Sequence, residues 1–146
     1  MAIKAPYQNI LVATDGSKEA VAAFDHAVAL AQFCQAKLYV ASVVIPPYFT
    51  SRSETGGAVL RDMITQSKAH LAVLKTRAQA AGFTNLELIQ EQGSPRDIIS
   101  KTLPERFNID LIVLGATGQT RTERLFLGSV SEYVTRHAET KVLIVR

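Results

Sequence analysis

Cys34 is the only cysteine in this chain of 146 residues. A single thiol excludes an intrachain disulfide framework and a thiolate zinc site, and it fits a reducing compartment. No apolar run approaches the ~18 residues that a membrane-spanning helix needs. The start, Met1-Ala2-Ile3-Lys4-Ala5-Pro6, has no long apolar region of the signal-peptide kind. The expectation is a cytoplasmic protein with no membrane partner. Basic residues are not clustered either: 16 Lys and Arg stand against 13 Asp and Glu, a formal charge of +3, and they are scattered along the chain. Nucleic acid is therefore not the expected partner.

The signatures of several catalysts are also missing. There is no Gly-Lys-Ser or Gly-Lys-Thr of a Walker loop, which disfavours strong phosphotransfer chemistry. No Gly-x-Gly-x-x-Gly follows the first apolar run, so a Rossmann dinucleotide site is not expected. A Gly-x-Ser-x-Gly elbow and a His-Glu-x-x-His helix are absent too. His26 lies opposite the apolar face of its helix, His70 sits beside Leu71 on a helix flank, and His137 lies near a helix end. None has an evident nucleophile or metal partner, and no catalytic residue is assigned.

What remains is an ordinary globular composition, 47% apolar and 20% charged, expected to form one domain over residues 1–146. Such a chain is long enough to bury roughly 70% of its unfolded surface. Tyr7 to Thr14 contains Ile10-Leu11-Val12-Ala13 and stops at Asp15-Gly16-Ser17, which predicts a buried strand, a turn and a helix start. Ala20, Phe24, Ala27, Val28 and Ala31 then keep the spacing of one helical face to Gln35. Lys37 to Ile45 reads as a second strand, stopped by Pro46-Pro47. An irregular loop through Gly56-Gly57 follows, long enough to serve as a lid over a site. Leu60, Ile64, Ser67, Leu71, Leu74 and Ala78 mark a second helix, capped by Gly82.

Leu86 to Ile89 is a third, short strand. Ser94-Pro95-Arg96-Asp97 combines a capping hydroxyl, a proline at the first helical position and an early acid, so a helix should run to about Phe107. Ile109 to Leu114 is a fourth strand, Ser129 to His137 a helix, and Lys141-Val142-Leu143-Ile144-Val145 a last strand. The βαβαβαβαβ order predicts an α/β fold, a mostly parallel sheet covered on both faces. Ligands of such sheets sit beyond the carboxyl ends of the strands at the switch in strand order.

Two segments lie at those ends: Thr14-Asp15-Gly16-Ser17, and Gly115-Ala116-Thr117-Gly118 with Gly128-Ser129-Val130-Ser131 nine residues later. Glycines let backbone N–H groups converge on an anion, and Gly128-Ser129 opens a helix whose free amides attract phosphate. Ser129 and Ser131 add hydroxyls. The same glycines also suit a plain strand exit, loop turn and helix start. Asp15 can accept from a nucleoside or help hold a divalent cation, or simply cap the next helix. Arg121 and Arg124 are either phosphate donors or solvated spacer charges. The apolar last strand, 141–145, would expose its edge unless a second copy pairs with it, which points to a two-fold dimer.

Ile10 to Ser17, Ser42-Val43-Val44, Gly93-Ser94-Pro95 and the segment from Gly115 to Ser131 together resemble the universal stress protein family over essentially the whole chain. The resemblance implies an open five-stranded parallel sheet in order 3-2-1-4-5 with helices on both faces, of the adenine nucleotide alpha hydrolase-like kind. Its ATP-binding branch carries Gly-x2-Gly-x9-Gly-Ser/Thr, matched here by Gly115, Gly118, Gly128 and Ser129. By this resemblance Ala13, Thr14, Asp15 and Val43 surround adenosine. Leu114, Gly115, Thr117 and Gly118 approach ribose and phosphates, and Gly128, Ser129, Val130 and Ser131 hold the phosphate end. Ala13 stands where the family often has proline, and Thr117 where histidine or arginine is common. ATP is the implied ligand, and a homodimer through Lys141 to Val145 is implied as well; whether Mg or Mn accompanies the phosphates, with Asp15 as a candidate ligand, stays open at the level of sequence.

The expected function is that of a cytoplasmic, ATP-binding stress-response protein, a nucleotide sensor or regulator with at most weak hydrolysis. Two alternatives stand beside it. One is a dimeric interaction protein whose nucleotide site is secondary. The other is an ATP-using enzyme of the adenylating type, although Asp15-Gly16-Ser17 does not reproduce the Ser-Gly-Gly-x-Asp-Ser loop of such enzymes.

Overall fold

Five parallel strands follow the apolar runs of the sequence: β1 (Asn9–Ala13), β2 (Lys37–Val44), β3 (Leu86–Gln92), β4 (Leu111–Gly115) and β5 (Lys141–Val145). The computed structural model describes residues 3–47, 56–117 and 127–146. Most of the expected lid segment, residues 48–55, lies outside them. The strand order is β3-β2-β1-β4-β5, so β1 is central and the chain switches direction between β1 and β4. β3 runs three residues beyond its expected end at Ile89, because Gln90, Glu91 and Gln92 pair with Ser42, Val43 and Val44.

Alternation along the strands sends successive side chains to opposite faces. Ile10, Val12, Leu38, Val40, Leu111 and Val113 face one core, built with α1 (Lys18–Cys34) and α2 (Gly56–Ala80). Leu11, Tyr39, Ala41, Ile112 and Leu114 face the other, where Ile99, Leu103 and Val134 of the remaining helices meet them. Those helices are α3 (95–107) and α4 (Ser129–His137). Cys34 is buried in the first core as a small apolar residue.

The helix ends follow local chemistry with two exceptions. Ser17 caps α1, its hydroxyl accepting from the Ala20 amide at 3.1 Å. Gly82 ends α2 at φ +84°, with its own amide on the Gln79 carbonyl and that of Phe83 on Ala78, a turn that favours glycine. α2, however, already starts at Gly56, so Gly56 and Gly57 belong to its first turn and not to the preceding loop. Glycine costs a helix only about 0.5–1 kcal/mol relative to alanine, through backbone entropy, so the long helical run behind these two residues carries them into its first turn. Ser94 likewise departs from expectation: its hydroxyl takes no helix amide, and the start of α3 rests on Pro95, whose fixed φ suits the position. α3 widens into a π-turn over Ile98–Thr102, where the Leu103 amide reaches back to Ile98. The widening immediately precedes Pro104, which has no N–H to give and whose ring would crowd an α-helical carbonyl.

α1 and α2 are also joined by a two-pronged ion pair: Arg77 Nε and Nη2 each donate to an Asp25 carboxylate oxygen at 2.6 Å. The hydrogen bond from Arg77, more than its charge at a distance, holds the Asp25 pKa below the usual value of 3.8 and outweighs the effect of burial. A depressed carboxylate pKa gives stability that is present above the unfolded pKa and lost as pH falls through the folded one. Asp25→Asn should therefore lower the urea midpoint slightly at neutral pH, and the gap to wild type should close below about pH 4. Both side chains are half-exposed, so the effect stays well below that of a core truncation.

Candidate functional site

β1 and β4 are neighbours at the switch in strand order, so their carboxyl ends bring Thr14 to Ser17 alongside Gly115 to Thr117. The β1 exit is tightly bonded. Thr14 is 5% exposed, and its amide donates to the Ala41 carbonyl at 2.9 Å. Asp15 Oδ1 accepts from the Ser17 amide at 3.0 Å, the local turn bond its residue type favours. This aspartate thus shapes the turn, and the residue is exposed.

The β4 exit is stapled to α4. The Ala116 amide continues the ladder to the Val145 carbonyl at 2.9 Å, and the Gly128 amide donates to the Ala116 carbonyl at 2.6 Å. Ser131 Oγ donates to the buried Gly115 carbonyl at 2.7 Å. The hydroxyl proton of Ser131 and the N–H of Gly128 are therefore engaged by the chain's own carbonyls. Gly128 is the residue before α4 and Ser129 its exposed first residue, so the first-turn amides of α4 begin where β4 ends. Gly115 has a packing partner as well: a Cβ there would lie 3.0 Å from the Glu19 carbonyl oxygen, in the first turn of α1. The close approach of α1 favours glycine at this position.

Four of the candidate site residues, two expected at the adenosine, one at the ribose and one at the phosphate end, share one side of the sheet. Leu114 is part of the α3/α4 core, and Ala13, Val43 and Val130 pack partly buried against it. These residues close that core toward the carboxyl edge: Leu114 is buried, and Ala13, Val43 and Val130 are half-buried. Thr14 points to the other side of the sheet, toward α2. Thr117 is half-buried at the end of the described segment, and Gly118, Arg121 and Arg124 lie outside the described residues.

One contact has no counterpart in the sequence reading. His70 of α2 puts Nε2 2.8 Å from Thr14 Oγ1, so a histidine without an evident partner is bonded to the site turn. Its signal was its place in the buried stripe of Ser67, Leu71, Leu74 and Ala78, where a polar side chain needs a partner. Among the described residues, no three His, Cys, Asp or Glu side chains converge to hold a metal ion. A concavity of about 460 Å³ opens elsewhere, between α1 and α2, walled by Phe24, Val28, Ala78 and the Asp25–Arg77 pair. No described helix is long and apolar enough to cross a membrane.

Comparison with known proteins bears on the family and the fold. The model of the universal stress protein family matches residues 6–146. A universal stress protein of Staphylococcus aureus strain USA300 is 40% identical over 145 residues, covering 96% of this chain and 84% of that one. The solved universal stress protein UspA from Lactobacillus plantarum superposes with a TM-score of 0.83 at 35% identity, covering 98% of this chain and all of the other. A universal stress protein solved in complex with cAMP superposes with a TM-score of 0.75 at 32% identity, over 97% of this chain and 98% of that one.

Proposed function

Because this chain belongs to the universal stress protein family, we propose that it is an ATP-binding, cytoplasmic stress-response protein that senses or carries nucleotide as a homodimer. The observation that carries the reading is the joining of the α4 start to the end of β4, through Gly128 to Ala116 and Ser131 to Gly115. It sets helix amides, with their partial positive charge, beside the switch in strand order. The half-buried apolar side chains of Ala13, Val43 and Val130 suit an adenine ring, and a relative 32% identical was solved with cAMP.

In this reading Thr14 and Asp15 flank the adenosine, and Gly115, Thr117 and Gly118 follow the ribose and phosphates. The amides of Ser129, Val130 and Ser131 receive the terminal phosphates. A Mg or Mn ion would enter with those phosphates, near Asp15. Binding is favoured over catalysis because no general base or phosphate lysine is assigned, and efficient phosphoryl transfer needs such groups. The interaction-protein reading keeps its own support in β5, whose residues Val142 to Val145 are only half-buried at the sheet edge.

The test is to denature the purified protein, identify released nucleotide by chromatography, and titrate ATP calorimetrically. A released adenine nucleotide, or heat at sub-millimolar ATP, is expected. Neither nucleotide nor heat at millimolar ATP overturns the reading, and a monomer by light scattering overturns its dimer part.

A further inference from the structure

α2 changes character where it reaches the carboxyl edge of the sheet. Leu71, Leu74 and Ala78 pack into the core, but one turn earlier the contacts are polar: Ser67 Oγ donates to Ser42 Oγ at 2.7 Å, and His70 Nε2 meets Thr14 Oγ1 at 2.8 Å. Burying polar pairs adds little net stability over apolar packing, but it selects one placement, since an unpartnered group is costly. The Thr14 contact then continues into the turn. The Gly16 amide lies 3.4 Å from Thr14 Oγ1, Ser17 donates to Asp15, and the Ser17 hydroxyl caps α1.

We propose that His70 is a positioning residue of the nucleotide site, anchoring the Thr14 hydroxyl so that the 14–17 turn presents Asp15 and the start of α1 in one arrangement. The proposal rests on the nucleotide reading above for its functional half. Its structural half, an ordered turn, stands on the hydrogen bonds alone. Neither half assigns His70 a contact with ligand. It lies on the α2 side of the sheet, opposite Ala13, Val43 and Leu114.

The experiment compares wild type with His70→Leu, which fills space without a partner, and His70→Gln, which keeps a polar group of similar reach. Amide exchange at Gly16 and Ser17 is followed by NMR without nucleotide, and ATP affinity is measured by calorimetry. His70→Leu should speed exchange at these amides about tenfold and weaken ATP binding by a similar factor, and His70→Gln should recover most of both. Unchanged exchange in His70→Leu, or no recovery in His70→Gln, overturns the proposal and leaves His70 as packing. If wild type binds no ATP, the nucleotide reading falls and the exchange arm alone decides the role of His70. Should His70→Leu fail to fold, His70→Asn, polar but too short for Thr14, takes its place with the same expected outcome.

Discussion

Gly115→Val is expected to lower folding stability by about 3 kcal/mol, the upper end of the usual cost of overpacking, even with no nucleotide present. The added Cβ would stand 3.0 Å from the Glu19 carbonyl oxygen and 3.1 Å from its carbonyl carbon. These are backbone atoms in the first turn of α1, so no side chain can rotate to make room. α1 must give by a few tenths of an ångström, at the expense of the packing of Ala20, Ala23, Phe24 and Ala27, which are buried in the core. Urea unfolding of the ligand-free protein measures the loss. Gly115→Ala should show a smaller change of the same sign. A wild-type midpoint in Gly115→Val would mean that glycine is needed there only for a ligand.

The second large effect is expected on the other side of the same residue. Ser131→Ala should cost about 1–3 kcal/mol, because it deprives the buried Gly115 carbonyl of the hydroxyl that donates to it at 2.7 Å. The same bond pins the first turn of α4 to β4, so weaker ATP binding should accompany the loss of stability. Ser131→Thr keeps the hydroxyl and should recover part of both. Urea midpoints and calorimetric titration of the two variants check this, and an unchanged midpoint in Ser131→Ala would overturn it. The two substitutions share a partner, so their double variant should lose less than the sum.

Much of this fold was legible because its signals are short-range. Ile10 to Ala13, Lys37 to Val44 and Lys141 to Val145 are β-branched apolar runs, and Ala20, Phe24, Ala27 and Ala31 repeat at helical spacing. Ser17 and Gly82 act on amides or carbonyls within a few residues of themselves, so their residue types were enough. The start of α2 and the far end of β3 were misread for the opposite reason. Gly56 and Gly57 look like loop until the helix behind them is built, and Gln90 to Gln92 look polar until β2 is beside them.

The site divides in the same way. Glycine spacing after a strand, and the resemblance it carries, pointed to the carboxyl ends of β1 and β4. What each residue touches there was not legible. The partner of Thr14 is 56 positions away in α2, and the acceptor for Ser131 lies across a loop at Gly115. Ser131, an apparent phosphate donor, gives its proton to the chain, and Gly115 lies tight against the backbone of α1.

The sequence by itself determined the order of strands and helices and the faces they bury, since periodicity and capping act between residues a few positions apart. Only the tertiary structure decided which groups at the sheet edge are engaged by the protein and which face outward. Hydrogen bonds and steric contacts are satisfied between atoms within about 3 Å, and that proximity is created by folding, not by position in the chain.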